Sequence, residues 1–138
     1  MSELVRFGVS LEDSLLADFD HLIEEKGYAS RSEALRDLIR DYLVQRDWTA
    51  LKGEQAATLT LVYNHHVREI DDHLTDMQHH DHDVVVCSTH VHLTAHMCLE
   101  VIVLRGQAAR IRSVADRLIA TRGVQHGKLV MSTLGRAT

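Results

Sequence analysis

The chain has 138 residues, of which 45% are apolar and 25% are charged, and its formal net charge is −5. This composition excludes a disordered chain and predicts a globular protein of one ordinary domain or two small ones. No segment reaches the roughly 18 uncharged apolar residues of a membrane span, and the start MSELVRFGVS lacks the regions of a signal peptide, so we predict a cytoplasmic protein without a membrane partner.

The N-terminal part of the chain predicts one strand and two helices. Residues 4–11 alternate between apolar and polar side chains, which indicates a strand with one apolar face. A helical repeat follows, from the cap candidate Asp13 to Gly27, and Ser30 with Glu33 forms a capping box that opens a second helix. One strand leaves its backbone groups unpaired, and so short a unit buries little core. We therefore predict a dimer in which two copies of the strand pair antiparallel.

The remainder of the chain predicts alternating strands and helices. The predicted strands cover 57–64, 83–93, 98–106 and 127–134, and the predicted helices cover about 66–78 and 109–123. The order β-α-β-β-α-β is that of the ferredoxin-like fold. We therefore predict an α+β protein with domains at residues 1–48 and 57–138, joined by a linker at residues 49–56.

A cluster of histidines and one cysteine predicts a metal site. Six of the 11 histidines fall between residues 79 and 96, and histidine is the commonest metal ligand. Residues i and i+2 of a strand share a face, so His90 and His92 are expected to project side by side. Cys98 opens the next strand and can reach the same ion as a thiolate. The fourth ligand stays open among His79, His80, His82 and His96.

This set of ligands leaves the metal and its use open. Three imidazoles and one thiolate suit tetrahedral Zn²⁺ as well as square-planar Ni²⁺ or Cu²⁺. Glu100 shares a face with Cys98, where it would support a ligand histidine or act as the general base of a zinc enzyme. Cys87 is predicted to be a small buried apolar residue. Two cysteines do not make a disulfide framework, which favours a reducing cytosol.

The predicted N-terminal ribbon also suits DNA. A two-stranded antiparallel ribbon fits the major groove. Residues 1–50 carry six basic and eleven acidic side chains, so any basic DNA-binding surface must be local. In a simpler interpretation, the ribbon serves dimerisation alone. The candidates for DNA contact are the outward residues of the ribbon and the free N–H groups at the start of the second helix, namely Arg6, Gly8, Ser10, Ser30, Arg31 and Ser32.

The chain resembles a known family over nearly its whole length. LVRFGVSLEDSLL followed by GYASRSEALRDLIR resembles a ribbon-helix-helix DNA-binding domain. QHHDHD, THVHLTAHMCLEVIVLRG and IATRGVQHG resemble the metal domain of the nickel-responsive repressors of the NikR type. The resemblance implies a ribbon-helix-helix domain followed by an ACT-like domain in a homotetramer built as a dimer of dimers. It further implies a regulator, not an enzyme, that binds double-stranded operator DNA with Ni²⁺ and represses nickel uptake.

The resemblance also implies roles for individual residues. The Ni²⁺ ligands would be His90, His92 and Cys98 of one subunit and His79 of its neighbour. Residues that match supporting positions around the site are Tyr63, His65 and Glu100.

Further residues match positions that serve DNA binding in the family. Glu33 and Asp37 match residues that help to bind a second cation between the two domains. A plainer interpretation makes them an i, i+4 acidic pair on a solvated helix face. Arg68 matches a residue that approaches the DNA backbone.

The chain departs from the family pattern at four positions. Gly8 and Ser10 stand where threonines are common in the DNA-reading strand, which leaves room for a different operator. Asp81 interrupts the usual histidine run but spares His79, and Val67 replaces a lysine found in some relatives. A zinc-dependent metalloenzyme and a nickel storage or delivery protein remain as alternatives, although neither gives the N-terminal unit a role.

Overall fold

The computed structural model describes residues 3–135 in two compact units, residues 3–43 and 44–135. The first unit contains helix α1 (Asp13–Lys26) and the greater part of helix α2 (Arg31–Thr49). None of the described helices is long and apolar enough to cross a membrane.

Both helices of the first unit begin and end close to their predicted positions. Asp13 is the first residue of α1, not its cap, because Glu12 holds the capping position. Gly27 ends α1 in the left-handed conformation at φ 74°, which glycine adopts without steric cost. Ser30 Oγ accepts a hydrogen bond from the Glu33 N–H at 3.2 Å, so the predicted cap of α2 is confirmed.

The strand predicted at residues 4–11 is not formed in the single chain. The described residues 3–12 have no regular secondary structure. A strand is defined by hydrogen bonds to a neighbouring strand, and the single chain pairs none with this segment. Large apolar side chains in it are exposed, including Leu4, Val5 and Phe7 at 91%, 82% and 71%.

The second unit is a four-stranded antiparallel sheet with two helices. Its elements in order are β1 (Glu54–Asn64), α3 (Ile70–His80), β2 (Val85–His92), β3 (Met97–Gln107), α4 (Ala108–Ile119) and β4 (Val124–Met131). The strand order is β2-β3-β1-β4, and all three pairs are antiparallel. The predicted β-α-β-β-α-β arrangement is therefore confirmed, with β2 at one edge of the sheet.

One face of the sheet and both of its helices form the core of this unit. Alternate residues of β1 from Gln55 to Tyr63 are buried, and they pack with buried residues of α3 and α4. Trp48, near the end of α2, is 1% exposed and belongs to this core. Its indole N–H donates a hydrogen bond to the Ser132 carbonyl at 2.7 Å. Strand β1 begins at Glu54, three residues before its predicted start.

Helix α3 begins four residues later than predicted because residues 65–69 form turns. Glu69, the residue before the helix, has φ 65°, and a left-handed residue interrupts a right-handed helix. Gly123 packs against this segment at φ 100°. A Cβ atom there would lie 2.6 Å from Ile70 Cδ1 and 3.0 Å from Val67 Cγ1.

We expect Gly123→Ala to destabilise the protein more than Gly27→Ala does. Both glycines have positive φ, so each alanine costs about 1–2 kcal/mol of backbone strain. Only Gly123 also has close neighbours, because nothing lies within 4 Å of a Cβ atom at Gly27. The overpacking adds about 1–3 kcal/mol. Urea unfolding at one protomer concentration measures the difference, and equal losses for the two variants would contradict it.

Candidate functional site

Two rows of paired residues cross the sheet where the candidate ligands lie. In one row, Cys98 of β3 pairs with Tyr63 of β1 on one side and with His92 of β2 on the other. In the next row, Glu100 of β3 pairs with His90 of β2. Directly paired residues of an antiparallel sheet project from the same face. The expectation that His90 and His92 share a face is confirmed, and Cys98 lies on that face too.

His65, His92 and Cys98 form a compact group of potential metal ligands. The Cys98 Sγ atom lies 3.3 Å from His65 Nδ1 and 3.5 Å from His92 Nδ1. The donor atoms of the three residues all lie within 4.8 Å of one another. Cys98 is buried, whereas His92 is exposed. The group is therefore anchored in the core and open on the side of β2.

The surroundings of His65 and Cys98 favour the neutral forms of these two side chains when no metal is bound. Burial raises the pKa of the Cys98 thiol, and the negative charges of Asp71 and Glu100 raise it further. Burial lowers the pKa of His65, and the neighbouring histidines add to this effect. A neutral imidazole is ready to bind a metal, whereas the thiol must first lose its proton.

A hydrogen-bond network joins β1, β2, β3 and α3 beside this group. The Tyr63 hydroxyl donates to Glu100 Oε1 at 3.3 Å, and Gln78 Nε2 donates to Glu100 Oε2 at 2.6 Å. The Tyr63 hydroxyl oxygen also lies 3.3 Å from His90 Nδ1. Since the hydroxyl proton is directed to Glu100, the network assigns Nδ1 of His90 as a donor to Tyr63 and leaves its Nε2 free as a ligand atom.

The proton of Tyr63 is firmly held. Burial raises the pKa of Tyr63 far above its ordinary value, and the negative charge of Glu100 contributes in the same direction. Tyr63 therefore remains a hydrogen-bond donor to Glu100 throughout the neutral range.

A cavity of about 200 Å³ lies between α3 and the sheet. His79 of α3 and His90 of β2 both line it, together with Glu100. Neither His79 nor His90 belongs to the compact group of three, although the rings of His90 and His92 are 5.2 Å apart. In the single chain, His65 lies next to the Cys98 thiol. The sequence had predicted His90 as the second histidine of this group.

Gln78 is a site residue that the sequence prediction missed. It is 9% exposed on the same helix face as Ile70 and Leu74. A polar residue on a buried stripe needs a partner, so its position four residues after Leu74 was an available signal. The prediction for Cys87 was wrong, because this residue is exposed. It lies on the edge strand β2, next to an irregularity in the pairing with β3.

The residues predicted to contact DNA are exposed, and none of their contacts within the described part of the chain bears on DNA binding. Arg6, Gly8 and Ser10 lie in the irregular segment before α1. Arg68 lies in the turn before α3 with 93% of its side chain exposed, and its guanidinium is 3.9 Å from the Glu69 carboxylate.

At the start of α2, side chains are engaged within the first unit. Ser30 caps the helix. Arg31 forms two hydrogen bonds of 2.8 Å with the Asp20 carboxylate, and these bonds lower the pKa of Asp20. The Ser32 carbonyl accepts a hydrogen bond from Arg36 Nε at 3.3 Å. The N–H groups of Glu33 and Ala34 donate to Ser30, so the backbone N–H groups of Arg31 and Ser32 are the phosphate donors of the kind that the sequence predicted.

Glu33 and Asp37 line one small cavity with Tyr28, Arg36 and Arg40. Glu33 accepts a hydrogen bond from the Ala29 N–H at 3.3 Å, and Asp37 accepts one from the Tyr28 hydroxyl at 2.8 Å. Each carboxylate keeps lone pairs that a cation can use. The two arginines beside them oppose a cation in this conformation.

Both parts of the chain match known protein families. Residues 56–132 match the family described as NikR C terminal nickel binding domain. Residues 5–46 match the ribbon-helix-helix proteins of the CopG family. The chain belongs to the NikR family. Its N-terminal unit is thus a ribbon-helix-helix domain, and its sheet domain is the α+β, ACT-like domain of that family.

Relatives from several organisms resemble this NikR chain over nearly its whole length. A protein of Geobacter sp. strain M21 is 58% identical over 98% of this chain and 97% of its own. Proteins of Thermococcus onnurineus strain NA1 and Nitratidesulfovibrio vulgaris strain DP4 are 52% and 51% identical, over 97% and 99% of this chain and 97% and 98% of their own. Each is named as a candidate nickel-responsive regulator.

A solved structure shares the fold of the NikR sheet domain. It is an uncharacterized protein from Thermotoga maritima, with a TM-score of 0.51 and 16% identity over 57% of this chain and 98% of that one.

The candidate ligands of this NikR chain fit nickel. Imidazole nitrogen and thiolate sulfur both suit borderline divalent ions, and three such ligands meet around Cys98. A four-coordinate ion needs one more ligand, and His79 and His90 are the nearby histidines that line the adjoining cavity.

In the metal-free protein, we expect iodoacetamide to modify Cys87 well before Cys98. Cys87 is exposed, whereas Cys98 is buried and has a raised pKa, so less of it is thiolate at a given pH. Its modification should rise with pH through a midpoint above the ordinary value of about 8.5. Mass spectrometry of a Cys87→Ser variant follows Cys98 alone. Equally fast modification of both cysteines would show that Cys98 is accessible.

Proposed function

We propose that this protein is a nickel-dependent repressor that binds operator DNA as a dimer of dimers in the cytoplasm and limits nickel uptake. The observation that supports this most is the pairing of His92 with Cys98 and of His90 with Glu100, in a chain whose other domain is a ribbon-helix-helix. The family to which the chain belongs supplies the nickel-binding assignment of this sheet domain.

The proposed nickel ligands are His90, His92 and Cys98 of one copy and His79 of a neighbour. Strand β2 lies at the edge of the sheet and its two histidines are exposed, so another copy can approach them. His79 is exposed near the end of α3, where it can serve a site in an adjoining chain. His65 would then yield its place beside the thiol to His90 and support the site.

The N-terminal segment supports the proposed dimer. Its apolar side chains are exposed in the single chain, and so are apolar residues of α2, among them Leu38, Ile39 and Tyr42. An exposed apolar surface of this extent marks an interaction site. Two copies of residues 4–11 would pair antiparallel, which would provide hydrogen-bond partners for their backbones and place Arg6, Gly8 and Ser10 on the outer face.

The network around Glu100 would couple the metal ligands to α3. Tyr63 holds the ring of His90, and Gln78 holds α3 to the same carboxylate. A loaded site would fix His90, and with it the network that orients α3 and the turn at residues 65–69. The result would be a shift toward the conformation that can bind DNA, limited by how strongly nickel prefers that conformation.

Other contacts would assist on DNA. The N–H groups at the start of α2 and the exposed Arg68 suit phosphates. Glu33 and Asp37 would bind a second cation once Arg36 and Arg40 turn toward the DNA backbone. We propose residues 1–48 and 57–138 as the two domains, with 49–56 between them.

A zinc-dependent enzyme receives less support from the site. In that alternative, Glu100 would act as general base, but both of its oxygens already accept hydrogen bonds. Storage or delivery of nickel would leave the ribbon-helix-helix domain without a role.

We expect the protein to shift DNA from its own upstream region in a gel only when Ni²⁺ is present. Cys98→Ala should abolish both this shift and the thiolate-to-nickel charge-transfer band, because the thiolate is lost. The control is His96→Ala, which removes a nearby exposed histidine and should change neither result. Equal DNA binding with EDTA and with nickel would refute metal sensing, and a retained band in Cys98→Ala would refute Cys98 as a ligand.

We expect Arg6→Ala to weaken operator binding by about 1–3 kcal/mol, because a bidentate contact to a base is lost. Nickel binding should be unchanged, since Arg6 lies outside the metal-binding domain. Arg122→Ala, which removes an exposed arginine of that domain, is the control. Fluorescence anisotropy with operator and unrelated DNA measures the effect. Equal losses on both DNAs would assign Arg6 to the phosphates instead of the bases.

A further inference from the structure

Asp81 is a buried carboxylate that lies just beyond the end of α3, two residues after His79. Its exposure is 1%. Oδ1 accepts hydrogen bonds from Arg110 at 2.7 Å and from Arg117 at 3.1 Å, and Oδ2 accepts one from Arg117 at 3.1 Å. Both arginines belong to α4, seven residues apart, so they lie two turns apart on one side of that helix. The carboxylate thus binds the end of α3 to α4.

The backbone of Asp81 is engaged as fully as its side chain. Its N–H donates to the Met77 carbonyl at 3.1 Å, which closes α3. Its carbonyl accepts hydrogen bonds from the N–H groups of Val84 and Val85 at 2.9 and 3.0 Å. Val85 is the first residue of β2, the strand that carries His90 and His92. One residue therefore holds the last turn of α3, the start of β2 and the side of α4 together.

The two arginines are only partly buried. The exposed fractions of their side chains are 37% for Arg110 and 45% for Arg117. Both can therefore be hydrated if the carboxylate is removed, so its loss would not strand two buried positive charges. What the ion pair chiefly provides is a fixed place for the end of α3.

We propose that Asp81 is a positioning residue for His79, holding the end of α3 so that His79 projects where it can complete a nickel site. This inference rests on the proposed function, in which His79 is the ligand donated to a neighbouring copy. An ion held by four ligands would need all four of them in place at once. If α3 ended in a loose turn, His79 would adopt many orientations. Nickel binding would then have to order this side chain, which would lower the affinity for nickel.

The test compares Asp81→Asn with Asp83→Asn. The first keeps the shape of the side chain but loses its charge. The second makes the same change at an exposed carboxylate that also contacts Arg110, at 3.3 Å. We expect Asp81→Asn to weaken Ni²⁺ binding by about 10–100-fold, as changes to residues that orient a ligand do. Asp83→Asn should weaken it by less than about fivefold, because an exposed ion pair contributes little. Competition with a chelator of known affinity measures both.

A double-mutant cycle separates positioning from general stability. If Asp81 acts through His79, Asp81→Asn should cause no further loss of nickel affinity in a His79→Ala background. Arg117→Gln, which leaves Arg110 in place, should repeat the effect of Asp81→Asn and serves if that variant folds poorly. Additive losses in the cycle, or a wild-type affinity and absorption spectrum in Asp81→Asn, would overturn the inference.

The same measurements distinguish this inference from the proposed function. If His79→Ala binds nickel as tightly as the wild type, His79 is not a ligand and that part of the proposed function fails. If His79→Ala is impaired and Asp81→Asn is not, only the role of Asp81 fails.

Discussion

The antiparallel register between β2 and β3 is the constraint on which the rest of the site depends. It places His92 opposite Cys98 and His90 opposite Glu100, so the candidate ligands on the sheet come from two adjacent strands. Side chains alternate along a strand, and a slip of one residue would move both histidines to the opposite face. The core fixes which face of β3 carries Cys98 and Glu100, because the same face also buries Ile102 and Leu104. Every residue of β2 after Val85 is exposed, so burial orients β3, and the hydrogen bonds to β3 position β2.

A buried charge next to the candidate ligands connects this sheet to α3. Glu100 is 6% exposed, and a buried carboxylate is tolerated only when hydrogen bonds compensate its lost hydration. Tyr63 and Gln78 provide these bonds from β1 and from α3. The need to satisfy one charge thus connects the helix that carries His79 to the strands that carry His90 and Cys98. Asp81 repeats the principle at the far end of α3, where two arginines of α4 compensate a second buried carboxylate.

Local periodicity explains which features could be read from the sequence. The alternation in β2 and β3 and the capping box at Ser30 depend on residues a few positions apart, and the structure confirms both. The pairing of Arg31 with Asp20 joins two helices over 11 residues, and helical spacing does not reveal it. The grouping of His65 with Cys98 spans 33 residues and depends on where the turn before α3 lies. The strand at residues 4–11 has the right alternation, but its hydrogen bonds require a partner outside the single chain.

The length of the turn between β2 and β3 matters to the site, although none of the proposed ligands lies in the turn. Residues 93–96 separate the two strands, and the Thr94 hydroxyl accepts hydrogen bonds from the N–H groups of His96 and Met97. If the turn kept its present form, inserting one residue here would shift β3 and turn Cys98 to the other face, and inserting two would bring a different residue opposite His92. The side chains of Leu93 and Ala95 are exposed, so the register depends on the number of residues in the turn and not on these side chains. A change in the length of this turn would therefore be as damaging to metal binding as the loss of a ligand.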